Sequence, residues 1–148
     1  MFVPEQIADT QPLFAGEYYD VRKQTSFTLP LEAVRLQGMI LRVQHGARTI
    51  THWYIPSEYL LWPITHVRPG RYRVRAPIGT VAPSRLALNA GGHTLVADLP
   101  NTNDYYAFEK HDFGVLEISR SENVWLQVFP AEGYTAVNLG PLELERVE

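Results

Sequence analysis

The chain has 148 residues, 45% of them apolar and 20% charged, enough for one domain with its own core and too apolar for disorder. A net charge of −3 argues against a polyanion binder, so nucleic acid is not an expected partner. There is no cysteine, which excludes disulfide, thiolate and Cys–metal chemistry, and no apolar run is long enough to predict a membrane partner.

Residues 1–25 are irregular, with Phe14, Tyr18 and Tyr19 among them. They lack the basic and apolar regions of a signal peptide and read as an N-terminal extension, either an added strand or a wrapping arm. A Cys-free chain suits the cytosol and a bacterial secreted module equally, so the compartment stays open. From residue 26 short apolar runs predict strands at 26–29, 32–36, 39–43, 48–52, 59–64, 71–76, 85–89, 94–99, 112–118, 123–129 and 136–146. Turn signals stand between them: Gln37-Gly38, His45-Gly46, Pro69-Gly70, Ala90-Gly91-Gly92, Pro100-Asn101 and Glu132-Gly133. That spacing is the pattern of one all-β domain over 26–148, a sandwich or a barrel.

Some runs alternate clearly. Arg71-Tyr72-Arg73-Val74-Arg75-Ala76 follows a Pro-Gly corner with every second residue apolar, the mark of a half-buried strand. Its arginines read as a solvated face. Leu86 and Leu88 share a face, as do Leu95, Ala97 and Leu99, and Val124, Leu126 and Val128. Trp125 and Phe129 fall on the other side of that last run. The 53–76 segment carries two Trp and three Tyr, more aromatic surface than one strand and its corner need.

The order of landmarks is itself informative: LEAVRLQG, ITHW, EYLLWPI, RPGRYRV, a Gly-Gly hairpin before HTLVADLPNT, DFGVLEI, VWLQVFP and AVNLGPLELERV. From about Pro30 onward this resembles the galactose-binding-like jelly-roll domains, especially carbohydrate-binding modules of the family 6 and family 35 type that are appended to glycoside hydrolases. The resemblance implies a β-sandwich jelly roll, a carbohydrate partner and a parent enzyme domain. It also implies a site on loops at one end of the sandwich, using aromatics from early loops and an Asn at the start of the last strand. That Asn corresponds to Asn138.

A sugar ring offers an apolar face and an edge of hydroxyls, so binding needs an exposed aromatic platform and a few fixed polar groups. The aromatic candidates are Trp53, Tyr54, Tyr105 and Tyr106, with Asn103 and Asp104 beside the Tyr pair in the NTNDYYAF segment, read as a strand-free loop. Trp62 and Tyr72 read as core. Trp53 suits core and platform equally. Tyr105 and Tyr106 cannot both point inward from an extended backbone, so at least one is expected to be exposed or to cover a loop. Asn138 can serve a sugar or satisfy turn backbone.

The resemblance further implies a structural calcium, held by an acid in the first strand and an Asp near the last. Glu32 matches the first position. The second is Gly140-Pro141, with no carboxylate before Glu143. The five His are dispersed, without metal-binding spacing. The charged run 108–112 could hold a general acid and base but reads as a loop leading into DFGVLEI. The expectation is a non-catalytic carbohydrate-binding module. The alternatives are a structural or protein-interaction sandwich, self-associating through an aromatic sheet face into a homo-oligomer, and a small enzyme using the 104–112 run.

Overall fold

Alternating apolar residues make strands, and every strand needs partners for its backbone. The computed structural model describes residues 14–147. The chain runs through β1 (Phe14–Ala15), β2 (Tyr18–Asp20), β3 (Ser26–Leu29), a single 3-10 turn (Leu31–Ala33), β4 (Arg35–Gln37), β5 (Arg42–Gln44) and β6 (Thr49–Thr51). It continues with β7 (Tyr59–Thr65), β8 (Gly70–Thr80), β9 (Ser84–Ala90), β10 (His93–Leu99), β11 (Asp104–Ile118), β12 (Val124–Pro130), β13 (Val137–Leu139) and β14 (Leu142–Arg146). These form two sheets. The first has the order β1-β2-β7-β12-β9-β10 with β4 also on β7, and the second has β3-β14-β8-β13-β6-β5 with β11 also on β8. Apart from the parallel β2–β7 pair, the pairings within both sheets are antiparallel.

The core lies between the sheets. Leu60, Trp62 and Ile64 of β7, Leu86 and Leu88 of β9, and Val124, Leu126 and Val128 of β12 meet Tyr72, Val74, Ala76 and Ile78 of β8, all fully buried or nearly so. Trp62 keeps its indole N–H satisfied by donating to the Pro30 carbonyl at 2.9 Å, and the Tyr72 hydroxyl donates to the Arg68 carbonyl. Both rings therefore bury their apolar area without stranding a donor.

Several boundaries differ from expectation, each for a local reason. The 32–36 strand opens instead as the 3-10 turn, because Pro30 precedes it and its carbonyl accepts the Ala33 N–H at 3.1 Å. The 39–43 strand starts only at Arg42, since the N–H groups of Met39, Ile40 and Leu41 all point to the Glu58 carboxylate. The 136–146 strand divides at Gly140-Pro141, where proline has no N–H to give a ladder, and both halves stay on β8. Residues 14–20 form a hairpin that adds a strand to the first sheet beside β7. Residues 1–13 of the predicted extension lie outside the described residues.

The 112–118 strand begins eight residues early, at Asp104, so neither the 108–112 run nor its charges lie in a loop. Two of those charges are paired on the second sheet: Lys110 with Glu143 at 2.9 Å and Asp112 with Arg73 at 2.8 Å. Arg75 meets Glu145 at 3.4 Å. The arginine stripe of β8 is thus a set of cross-strand ion pairs. No helix among the described residues is long and apolar enough to cross a membrane.

Candidate functional site

The site starts from a mismatch between two neighbouring strands. On β8, Thr80 and Ile78 are two residues apart; their partners on β11, Asp104 and Glu109, are five apart. The surplus at 105–108 must leave the sheet as a bulge, the usual device for re-aiming side chains. Two features pin it. Thr80 and Thr102 exchange backbone-to-hydroxyl hydrogen bonds at 2.9 Å each, fixing the entry. Opposite the bulge stands Gly79, where a Cβ would lie 1.9 Å from the Tyr105 carbonyl oxygen. Only glycine lets the two backbones approach so closely.

The Tyr105 carbonyl accepts a hydrogen bond from the Asn138 Nδ2 at 3.2 Å. Asn138 sits on β13 directly opposite Gly79. Asn138, Gly79 and the bulge are therefore one unit, at the end of the second sheet where β6 leaves and β13 enters. There the chain encloses a cleft of about 180 Å³, lined by residues 51–54, 105–106 and 136–138. Tyr54 is 59% exposed and Tyr106 52%. The Tyr106 hydroxyl donates to the Gln44 Oε1 at 2.8 Å, tying the bulge to β5, and its ring meets Phe108 edge-on at 6.1 Å. His52, with a left-handed backbone at φ 60°, contacts Tyr54 edge-on at 5.9 Å.

Of the predicted residues, Trp53, Tyr54, Tyr105, Tyr106 and Asn138 come together around this cleft. Trp53 does so in a different role from the platform considered for it. It is 1% exposed, with its indole N–H donating to the Glu58 carbonyl at 2.8 Å, so it packs as part of the core behind the cleft. Tyr134 leans on it with ring centroids 5.6 Å apart and donates its hydroxyl to the Trp53 carbonyl. Burial pushes the Tyr134 hydroxyl pKa far up, which keeps it a donor.

Asn103 and Asp104 do not line the cleft. The Asn103 N–H goes to the Asn101 side chain at 2.7 Å, and Asp104 accepts the Tyr106 N–H at 2.7 Å, so both belong to the turn that launches β11.

Glu58 is a residue sequence reasoning overlooked. Burial opposes its ionisation, but the N–H groups of Met39, Ile40 and Leu41 at 2.6, 3.1 and 3.2 Å outweigh that and hold its carboxyl below the ordinary value. It braces the loop beside the cleft, and Gly38 leaves room for it. The signal available was a Gly at 38 followed by the three-residue apolar run Met39-Ile40-Leu41.

Calcium finds no such set of carboxylates. Among the described residues no three Asp, Glu or His side chains gather to hold a cation. Glu32 is exposed, and Glu143 is engaged by Lys110. These carboxylates do not converge, so they do not by themselves make the oxygen cage that calcium takes.

The outer face of the first sheet carries a second feature. Trp125 is 54% exposed, and its indole N–H donates to the Tyr18 hydroxyl at 3.1 Å. Two depressions, of about 450 and 280 Å³, meet at this pair.

No protein-family model matches the chain, and no curated protein matches it by sequence. Solved structures do match by shape. A family 35 carbohydrate binding module from Clostridium thermocellum superposes with a TM-score of 0.66 at 12% identity, covering 82% of this chain and 98% of that one. The C-terminal family 6 module of a marine laminarinase from Zobellia galactanivorans gives 0.66 at 11%, covering 82% and 99%. The likeness extends to parts of larger proteins: the chain spans 28% of a Podospora anserina β-(1,4)-mannanase carrying a family 35 module, at a TM-score of 0.65 and 12% identity. It also spans 23% of the insecticidal crystal protein Cry2Aa, at 0.67 and 13%. At such identities the match is one of architecture. The chain has the β-sandwich jelly-roll fold of the family 35 and family 6 carbohydrate-binding modules.

Proposed function

We propose that this chain is a non-catalytic carbohydrate-binding module whose site is the cleft between the β11 bulge and the β6–β13 end of the second sheet. The observation that carries the reading is the convergence of Tyr54, Tyr105, Tyr106 and Asn138 there, two of the rings being more than half exposed. Exposed tyrosines supply flat apolar area at low entropic cost, and the buried amide supplies a fixed polar group. The likeness to family 35 and family 6 modules supports the substrate class, and the mannanase match supports attachment to a glycoside hydrolase as the partner domain. Within the alternative acid–base run on β11, Lys110 and Asp112 are taken up by ion pairs with Glu143 and Arg73, and the run lies away from the aromatic cleft.

Affinity electrophoresis through a panel of polysaccharides tests this. The expected result is retardation by at least one neutral polysaccharide, abolished in the Tyr54→Ala/Tyr106→Ala double variant. Retardation by none overturns the proposal.

A second reading follows from Trp125. A Trp of that exposure, flanked by two depressions, suits an interaction surface, through which the sandwich would bind a protein or a second copy of itself. Light scattering separates the two: a concentration-dependent dimer lost in Trp125→Ala supports it, and a strict monomer at all concentrations excludes self-association.

A further inference from the structure

The cleft's lining says more than that it takes a sugar. Resting on the glycan-binding reading, we propose that it accepts a single uncharged sugar ring, the end residue of a chain or branch, and rejects uronic acids and sulfated sugars.

Three observations carry this. The first is charge. The cleft is lined by residues 51–54, 105–106 and 136–138, and no Asp, Glu, Lys or Arg is among them. An anionic ligand moved out of water needs a cation or a bidentate guanidinium to replace its hydration. The lining offers aromatic rings with their phenol hydroxyls, a Thr hydroxyl, an imidazole and an amide, and no carboxylate, ammonium or guanidinium.

The second is the direction of the fixed polar group. Asn138 is 6% exposed and spends its Nδ2 on the Tyr105 carbonyl at 3.2 Å. That fixes the amide and leaves its Oδ1 and the second Nδ2 hydrogen unspent. No buried side-chain oxygen or nitrogen among the described residues lacks a hydrogen-bond partner, and none of the described residues donates to the Asn138 Oδ1. This oxygen is therefore reached by solvent, in the cleft that Asn138 lines. An acceptor oxygen held beside one remaining N–H suits a hydroxyl, which both donates and accepts, better than a carboxylate or sulfate, which only accepts.

The third is size. The volume, about 180 Å³, falls below the roughly 300–1,000 Å³ typical of sites for drug-sized ligands. The cleft itself therefore has room for about one pyranose ring, which makes it a single subsite. Tyr106 cannot swing aside freely to lengthen it, because its hydroxyl is tied to Gln44 at 2.8 Å.

The test uses the intact chain in a buffer of about pH 8, above the range in which imidazole titrates. Two-dimensional NMR titrations compare glucose, galactose, mannose and xylose with glucuronic acid, galacturonic acid and galactose 6-sulfate, and then with neutral di- and trisaccharides. At least one neutral monosaccharide is expected to shift Tyr106 and Asn138 resonances, with the acidic counterparts at least roughly tenfold weaker. Lengthening the chain should improve affinity by less than about tenfold, as one subsite requires. Tyr106→Ala, at an exposed position, should abolish the shifts while leaving the rest of the spectrum in place. Equal or tighter binding of the acidic sugars overturns the inference and leaves glycan binding standing, as does an affinity that climbs tenfold with each added residue. Shifts that survive Tyr106→Ala overturn the location. No shift with any sugar, neutral or acidic, overturns the glycan reading itself.

Discussion

Gly79→Ala perturbs the smallest number of atoms on which the cleft depends. The added methyl would start 1.9 Å from the Tyr105 carbonyl oxygen and 2.6 Å from its carbon, whereas ordinary van der Waals contact begins at 3.4 Å. The opposing atoms are backbone, so no side chain can rotate away, and β8 and the bulge must part by about 1.5 Å, the difference between the contact made and the contact allowed. That displacement carries the Tyr105 carbonyl out of reach of Asn138, now at 3.2 Å. Overpacking of this kind costs roughly 1–3 kcal/mol, and the lost hydrogen bond adds about 1 kcal/mol. For a domain of about 150 residues at 2–4 °C per kcal/mol, the melting temperature should fall by roughly 5–15 °C. Sugar retardation should be lost as well, because Tyr105 and Tyr106 ride on the same bulge. Gly46→Ala is the control: a Cβ there meets nothing within 4 Å, and its effect should stay within about 0.5 kcal/mol. Differential scanning calorimetry with affinity electrophoresis reads both quantities. A Gly79→Ala protein that melts with wild type and still binds would refute the account of the bulge.

Glu58→Gln should destabilise the fold at neutral pH, because an amide can accept through only one oxygen and turns its NH₂ toward backbone donors. The Glu58 pKa lies below its ordinary 4.5 in the folded chain, so its contribution is complete above that value and is lost as pH falls through the lower folded one. The gap between variant and wild type in urea denaturation should therefore narrow from about pH 7 to pH 3; parallel curves would count against the Glu58 clamp. Of the three Trp, Trp53 and Trp62 are buried and Trp125 is 54% exposed. Acrylamide should quench one accessible component, which disappears in Trp125→Phe, and a second quenchable Trp in that variant would contradict the packing of Trp53. Arg73 and Arg75 are neutralised by Asp112 and Glu145, so the chain should pass unretained through a heparin column at about 0.15 M salt, where unpaired surface charge is already screened beyond roughly 8 Å.

How far these features were legible depends on how local their causes are. The alternation over 71–76 placed Tyr72, Val74 and Ala76 in the core because a strand's faces follow from its own sequence, and Trp62 in an apolar run was equally readable. Trp53 and Tyr54 are different. They are adjacent and chemically alike, and which one turns inward is decided by a carbonyl at Glu58 and a hydroxyl at Tyr134, neither of which sequence proximity suggests. Asn103 and Asp104 stood next to the right tyrosines, yet the same short side chains that suit a sugar also suit a turn, and the turn claimed them. NTNDYYAF read as a loop because a bulge looks like one locally. Its geometry is written on another strand, in a glycine at 79 that permits the approach and an Asn at 138 that fastens it. The candidate site is thus a product of pairing between strands, and its residues become a set only when that pairing is known. It follows that substitutions at Gly79 should weaken sugar binding as strongly as substitutions at the tyrosines, although no atom of Gly79 lines the cleft.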